Sequence, residues 1–353
     1  MNALRRIGPL VLLALGVALA AAAGSHAAQP PVLHTAGTVS LLAADGSRVA
    51  VATTGIKGKC DQIVVWDTRA ATTYTAGTNC AGNGGSLPEW VARVALAGTT
   101  VAWVERTAGN REDLTLNVAS PAWKAPKLAA YLENGNGASG LVEGDYIGGL
   151  YGAGTLIAYD TWHVCTLEPP GANDPYGIDE PCTGTHAPVA KRSHSVDLQR
   201  VWRLAGASKK AVTSGAGTFP VVAVDATRIA VRTPSGAVEL LSPDGSPLDS
   251  FPVLPGTLSG AALDRTQLAV IQNGELRVYP NETVRPVPAK ATLCGFTGTL
   301  AAYRSGSSVT VVRLGDGKTE HVAASLCALT RAGLFTASGH SIAFLPTAGL
   351  LRN

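Results

Sequence analysis

Metal-binding chemistry is the first possibility that the residue types suggest, and its candidates lie in one segment. The stretch from about Asp160 to Ser195 is rich in Pro, Gly, Asp and His. Carboxylate oxygens suit calcium, and imidazole nitrogens suit zinc. The spacing fits neither an EF-hand nor an H-E-x-x-H motif, so a surface loop without metal is the alternative. No cofactor is therefore predicted, and a calcium or zinc site is the lesser alternative. Its candidate ligands are Asp174, Asp179, Glu180, His163, His186 and His194.

Stacking on a sugar or a partner peptide is the second possibility. The chain has 6 tryptophans beside only 5 phenylalanines. Trp90, Trp123 and Trp162 fall at predicted strand ends or loops, where aromatic side chains are favoured in interfaces. These three are the candidate binding residues, and packing inside the fold is the alternative for each.

Acid–base hydrolysis is the third possibility. Acidic residues stand near predicted strand ends at Glu89, Glu105, Glu143 and Asp145, and two carboxylates brought together could act on a glycoside or lactone. Solvated surface carboxylates are the alternative. The sequence contains no G-x-S-x-G motif, and its Ser, His and Asp residues are scattered. No catalytic residue is therefore assigned.

Six cysteines complete the set of reactive side chains: Cys60, Cys80, Cys165, Cys182, Cys294 and Cys327. They form no C-x-x-C motif, which disfavours a zinc knuckle or a thioredoxin-like site. An even number in an exported chain favours disulfides, for which about 15 pairings are possible with six cysteines. Spacing favours the local pairs 60–80, 165–182 and 294–327.

Export is predicted from the N-terminus. Arg5 and Arg6 precede the apolar run Leu10 to Ala23, and small residues follow, which is typical of a signal peptide over residues 1–27. An uncleaved anchor is the alternative, although the run is short for a span of ~20 residues. We expect a secreted or cell-envelope protein with no further transmembrane segment. The net charge of +3 without a Lys/Arg run predicts no nucleic-acid partner, and a monomer is expected.

One pattern, which must position all these residues, recurs along the remaining chain. A strand ends in a small polar turn, and an apolar strand with a central small residue follows it. A third strand and a more polar fourth strand come next. The last three spacings between centres are 39, 32 and 34 residues, close to the ~40 residues of a propeller blade. The centres are Ala50, Ala102, Ala158, Ala230, Ala269 and Ala301, with Phe335 in the seventh place.

The predicted fold is all-β: one β-propeller domain over residues 28–353, with seven four-stranded blades and an insertion at about 160–195. Residues near Val32 to Ala36 resemble a fourth strand and should complete the last blade, which removes the open edges of a linear array. An open all-β arrangement or two β-sandwiches is the alternative.

The repeat pattern resembles that of the WD-repeat, TolB-like and YVTN-like propeller superfamily over residues 30–353. Trp66-Asp67 ends a predicted third strand as a WD signature does, but it occurs once and lacks the Gly-His partner, so the WD subfamily is not assigned. The resemblance implies binding, and sometimes catalysis, at the mouths of a channel.

The predicted function is a non-catalytic exported scaffold for a protein or glycan partner at the cell envelope or outside the cell. The alternative is a propeller hydrolase or lyase with a metal or carboxylate pair at the channel mouth. Acids or histidines from three or more blades, converging on one rim, would favour the enzyme.

Overall fold

A computed structural model of the chain describes residues 30–54, 61–79, 89–107, 111–136, 144–167, 169, 182, 188–191, 193–215 and 220–351. The predicted signal peptide lies outside the described residues. No helix in the described ranges is long and apolar enough to span a bilayer. Apart from one 3-10 turn at Thr347–Gly349, the regular structure described is β-sheet.

The strands form seven antiparallel blades of four strands each, so the predicted seven-bladed β-propeller is confirmed. Five blades are separate four-stranded sheets, and blades two and three are joined into one eight-stranded sheet by the single pair Asn134–Gly144. Blades one to three contain β2 (Thr38–Asp45), β3 (Arg48–Thr54), β4 (Asp61–Asp67), β5 (Thr72–Asn79), β6 (Glu89–Ala97), β7 (Thr100–Thr107), β8 (Arg111–Ala119), β9 (Lys127–Asn136), β10 (Gly144–Ala153), β11 (Leu156–Leu167), β12 (Ser193–Ala205) and β13 (Ser208–Gly215).

Blades four to seven use shorter strands. Blades four to six contain β14 (Val221–Val224), β15 (Ile229–Arg232), β16 (Val238–Leu241), β17 (Pro247–Phe251), β18 (Leu258–Asp264), β19 (Gln267–Gln272), β20 (Glu275–Tyr279), β21 (Thr283–Pro286), β22 (Thr292–Phe296), β23 (Leu300–Ser305), β24 (Ser308–Arg313) and β25 (Thr319–Ala323). Blade seven combines β26 (Leu326–Leu329), β27 (Gly333–Ser338) and β28 (Ser341–Pro346) with β1 (Val32–His34).

Burial explains why six of the seven repeats have alanine at the centre. The six alanines lie in the second strands of blades one to six, and Phe335 lies in that of blade seven; all seven are fully buried. Neighbouring blades press their faces together there, and close packing leaves little room for a longer side chain. In blade seven, Phe335 fills the space by packing against Trp66 and Phe344.

The ring closes as predicted. In β1, Val32 pairs with Ala343, Leu33 with Ile342 and His34 with Ser341. Leu33 packs against the buried cluster that contains Phe335 and Ile342. The first strand of the described chain thus completes the last blade, although it ends at His34 rather than Ala36.

The strands of blade three extend farther at one end of the central channel than those of blade four. We call the end with the turns between first and second strands the hairpin end, and the opposite end the loop end. Beyond Ala158, β11 continues toward the loop end as far as Leu167, and β12 pairs with it throughout. In blade four, by contrast, β15 ends at Arg232, shortly after Ala230.

The described ends of the predicted insertion are strands that extend blade three. Residues from Asp160 to Leu167 belong to β11, and Ser193 to Ser195 belong to β12; Leu167 and Ser193 are paired. The segment Thr-Trp-His-Val-Cys-Thr is rich in residues that favour strands. The Pro and Gly content of the residues that follow concealed this local preference.

Candidate binding site

The seven innermost strands, β2, β6, β10, β14, β18, β22 and β26, enclose a channel of about 690 Å³. Small and aliphatic residues form most of its wall. Each innermost strand is hydrogen-bonded along one side only, apart from the Asn134–Gly144 pair that links β9 to β10. The opposite edges, with their unpaired backbone groups, therefore face the channel.

Tyr151 is the exposed aromatic side chain of this wall. The residue opposite the central position of each second strand is alanine in five blades, at Ala43, Ala95, Ala223, Ala262 and Ala328. Phe296 holds the place in blade six and is only 5% exposed, whereas Tyr151 holds it in blade three and is 37% exposed. A Cβ on Gly149 would lie 2.7 Å from Tyr151 Cε2, so the ring folds back along β10 toward the loop end.

Arg93 reaches across from blade two at the level of this ring. Its Nε donates to the carbonyl of Gly148 at 3.0 Å, and its Nη1 donates to the carbonyl of Ala92 at 3.2 Å. Both acceptors are neutral, and the side chain is exposed. Among the described residues Arg93 forms no ion pair with a carboxylate.

Asp160 lies behind the same part of β10 and is only 1% exposed. Its Oδ1 accepts hydrogen bonds from the backbone of Gly149 at 2.8 Å and of Val221 at 3.0 Å, and its Oδ2 accepts one from Gln199 Nε2 at 3.3 Å. Gly149 is in blade three and Val221 in blade four, so the carboxylate links two blades. Burial raises the pKa of Asp160 to about 6, against the lowering effect of these hydrogen bonds.

These charges also act on the phenol of Tyr151. Burial raises the pKa of Tyr151, Asp160 raises it further, and Arg93 lowers it. The hydroxyl therefore stays protonated at neutral pH and is available as a hydrogen-bond donor.

A second group of side chains lies nearer the loop end of blade three. Tyr146 and Trp162 are paired across β10 and β11, and their rings stack with centroids 4.8 Å apart. Asp145 and His163 are the next pair, with Oδ1 and Nδ1 3.1 Å apart. Directly opposite residues of antiparallel strands share a face, which accounts for both contacts.

The predicted tryptophans occupy three different environments. Trp162 lies within β11, so its predicted place at a strand end or in a loop is wrong. Trp90 is near the start of β6, with the Arg106 guanidinium 5.4 Å from its ring centroid. Trp123 lies in the connection between β8 and β9, under Lys127 Nζ at 4.6 Å. The fold does not bring the three together on one strand pair.

Acidic residues from three blades line the hairpin end of the channel. This is the arrangement expected of the enzyme alternative. Each carboxylate, however, already contacts a backbone N–H group or an arginine of the protein. Asp45 Oδ2 accepts from the backbone of Gly98 at 2.6 Å and of Gly154 at 2.9 Å. The other two acids, Asp225 and Asp264, form ion pairs with Arg228 and Arg331, respectively. The contacts of Asp45 and Asp264 join hairpins of different blades, and the Asp225–Arg228 pair lies within the hairpin of blade four.

Most candidate metal ligands lie outside the described residues, namely Asp174, Asp179, Glu180, His186 and the side chain of His194. The remaining one, His163, pairs with Asp145. Within the described ranges no group of three or more His, Cys, Asp or Glu residues is placed to hold a metal ion. The calcium or zinc site stays a prediction.

The candidate carboxylates are similarly divided. Glu143 and the side chain of Glu89 lie outside the described residues. Glu105 accepts from Trp103 Nε1 at 2.7 Å and from Thr115 Oγ1 at 3.3 Å. The hydrolase or lyase alternative stays a prediction.

Two of the expected disulfides are present, Cys165–Cys182 and Cys294–Cys327. The second joins the innermost strands β22 and β26 and lines the channel. Cys60 and Cys80 lie outside the described residues.

Three side chains in and around the channel wall were not singled out from the sequence as site residues, namely Tyr151 in the wall, Arg93 beside it and the buried Asp160 behind it. The sequence does contain a feature that marks Tyr151. It lies seven residues before the repeat centre Ala158, and in five other repeats the residue seven positions before the centre is alanine. No comparable signal exists for Arg93 or Asp160, because their partners are backbone groups of neighbouring strands.

Comparison with known proteins yields structural likeness only. No family model matches the chain, and no curated protein matches its sequence. Similar solved structures include Sqt1 of Saccharomyces cerevisiae, at 11% identity over 90% of this chain and 98% of that one, with a TM-score of 0.45. The propeller domain of the Trilobed protease from Pyrococcus furiosus is 10% identical over 82% and 96%, with a TM-score of 0.40. The Dos1 propeller is 11% identical over 90% and 95%, with a TM-score of 0.46. The assignment as a seven-bladed propeller rests on the strand pairing of the chain itself.

Proposed function

We propose that this propeller is an exported, non-catalytic scaffold that binds a protein partner at the loop end of blades two and three, with a glycan as the alternative partner. The observation that carries the proposal is the extension of β11 and β12, strands of 12 and 13 residues, where blade four has strands of 4 or 5. This extension carries aromatic and charged side chains past the level at which the blade-four strands end.

The chemistry of the extended region suits an interface. Tyr146 and Trp162 form a stacked aromatic pair, and Asp145 and His163 provide a polar pair beside it. Aromatic anchors flanked by polar groups are typical of the energetically important centre of protein interfaces. The Cys165–Cys182 disulfide fastens the end of β11, which limits the entropy lost on binding.

Export is supported by the same disulfides. Stable disulfides form mainly in oxidising compartments outside the cytoplasm. The pairs Cys165–Cys182 and Cys294–Cys327 fit that setting and agree with the predicted leader.

The test uses two libraries on the mature, oxidised protein, a displayed random-peptide library and a glycan array. We expect peptides to be enriched and Trp162→Ala to weaken their binding at least ~10-fold, as for a hot-spot aromatic residue. Leu248→Ala, at an exposed position in blade four, is the matched control and should bind normally. Both variants must melt near the parent temperature.

The outcomes separate the alternatives. Binding on the glycan array alone would show that the ligand is a glycan and not a protein. Absence of ligands from both libraries, or binding that survives Trp162→Ala unchanged, would contradict a partner site at this end of blade three.

A further inference from the structure

The wall of the channel is suited to an extended peptide. The seven innermost strands turn edges that have no neighbouring strand toward a space of about 690 Å³. Side chains occupy a few backbone groups of these strands, at Gly148, Gly149 and Val221. Ligand sites commonly have volumes of ~300–1,000 Å³. Free strand edges recognise extended peptides through main-chain hydrogen bonds. This geometry favours a chain end over a compact small molecule.

Arg93 places a positively charged donor group on the loop-end side of the channel-lining residues Val94 and Tyr151. A guanidinium has five N–H donors in a fixed fork. The contacts to Gly148 and Ala92 use one hydrogen on Nε and one on Nη1, so three hydrogens remain. The two backbone acceptors also fix the orientation of the group. A planar cation held in this way matches a carboxylate, which can accept two parallel hydrogen bonds.

Tyr151 supplies a second donor at the same level. Its ring folds back over Gly149, beside the residue whose carbonyl accepts from Arg93. The hydroxyl forms no hydrogen bond within the described residues and is not otherwise engaged. Asp160 does not close the site, since its oxygens accept from Gly149, Val221 and Gln199.

We propose that the central channel receives the C-terminal end of a partner peptide, whose α-carboxylate is held by Arg93 and Tyr151. This inference rests on the proposed function and names the class of partner. The Arg93 guanidinium neutralises the carboxylate, and the Tyr151 hydroxyl donates a further hydrogen bond to it. The peptide backbone runs along the free edge of an innermost strand.

The test compares two pools of N-acetylated random hexapeptides, one with free C-terminal acids and one with C-terminal amides. Ligands of the folded state raise the melting temperature by an amount that grows with the logarithm of ligand concentration divided by Kd. We expect the acid pool to bind at least ~10-fold more tightly than the amide pool, because charge-assisted hydrogen bonds are the strong ones. Sodium acetate at equal carboxylate concentration should give a smaller shift than the acid pool.

Variants assign the effect to the channel. Arg93→Gln should abolish the preference for the acid pool, and Tyr151→Phe, which keeps the ring, should reduce it several-fold. Arg265→Gln is the matched control, because Arg265 is an exposed arginine of the channel wall at the hairpin end. It should leave the preference unchanged. Unliganded melting temperatures show whether each variant is folded.

Equal binding of acid and amide pools would overturn the inference, as would an acid preference that survives Arg93→Gln. An acetate shift as large as that of the acid pool would reduce the site to a simple anion site and would also overturn it. Absence of any shift contradicts the channel site alone if library peptides still bind through Trp162. The two proposals therefore fail separately.

Discussion

At the scale of single residues, the buried carboxylate of Asp160 shows how a propeller can join two blades with one side chain. Its partners lie in two neighbouring sheets, at Gly149 and Val221. A Cβ on Gly149 would lie 2.9 Å from Asp160 Oδ1, so the approach requires glycine there. The side chain thus substitutes for water at backbone groups that would otherwise be unpaired.

Asp160 should make stability depend on pH. Its pKa is about 6 in the fold and 3.8 normally, so the folded state disfavours ionisation. The stability associated with the protonated group is complete below pH 3.8 and is lost as the pH rises through about 6. Relative to the parent, Asp160→Asn should therefore gain up to about 3 kcal/mol between pH 4 and 7.5.

Urea unfolding of both proteins at the two pH values measures this difference. Asp249→Asn, at an exposed position in β17, is the control and should follow the parent. A constant difference between Asp160→Asn and the parent across this range would show that burial does not perturb the carboxyl group.

At the scale of elements, closure of the ring depends on a strand of three residues, β1. Leu33 is its inward residue, and Val32 and His34 point outward. Blade seven would have an open edge along β28 without this strand, and exposed edges favour association.

Leu33→Asp should therefore weaken the closure. A carboxylate would replace an apolar contact with the Phe335 cluster, at a cost of about 2 kcal/mol or more. Val32→Asp, one residue away and exposed, should change stability by about 0.5 kcal/mol or less. Chemical denaturation compares the two; equal losses would mean that β1 contributes through its backbone alone.

The elements also show what the sequence could reveal. Turn residues and the buried central alanine identified the blades, because both are local requirements of each repeat. The extension of β11 and β12 toward the loop end was missed, because a long Pro- and Gly-rich segment between the two strands suggested a loop. Arg93 and Asp160 could not be recognised from a local sequence pattern, because their contacts are made between neighbouring blades.

At the scale of the whole molecule, the two halves of the ring are built differently. Blades one to three have longer strands, whereas blades four to seven have strands of 3 to 7 residues. The Cys294–Cys327 disulfide lies in the short-stranded half and joins blades six and seven at the channel. The disulfide therefore cross-links two of the short-stranded blades.

Removing that link should lower stability measurably. The Cys294→Ala/Cys327→Ala variant opens a sequence separation of 33 residues, and Cys165→Ala/Cys182→Ala opens one of 17. Loop entropy predicts losses of about 3–4 kcal/mol, larger for the first variant by about 0.5 kcal/mol. Urea unfolding of each variant measures the loss. Unchanged stability in both would show that neither bridge constrains the unfolded chain.

The pairing of β1 with β28 also fixes how the ring responds to mechanical tension. Val32 at the start of β1 lies beside Ala343 in the middle of β28, and the backbone N–H of Phe344 donates to the carbonyl of Pro31. The start of β1 and the end of β28 therefore lie toward the same end of blade seven. A pulling force applied through these two exits loads the hydrogen bonds of β1 one after another rather than all together. The exit after β28 is also held to blade six, where Arg313 donates to the carbonyl of Leu351 and the Leu351 N–H donates to Glu320. We therefore expect the start of β1, which lacks such an anchor in the described chain, to separate first under tension.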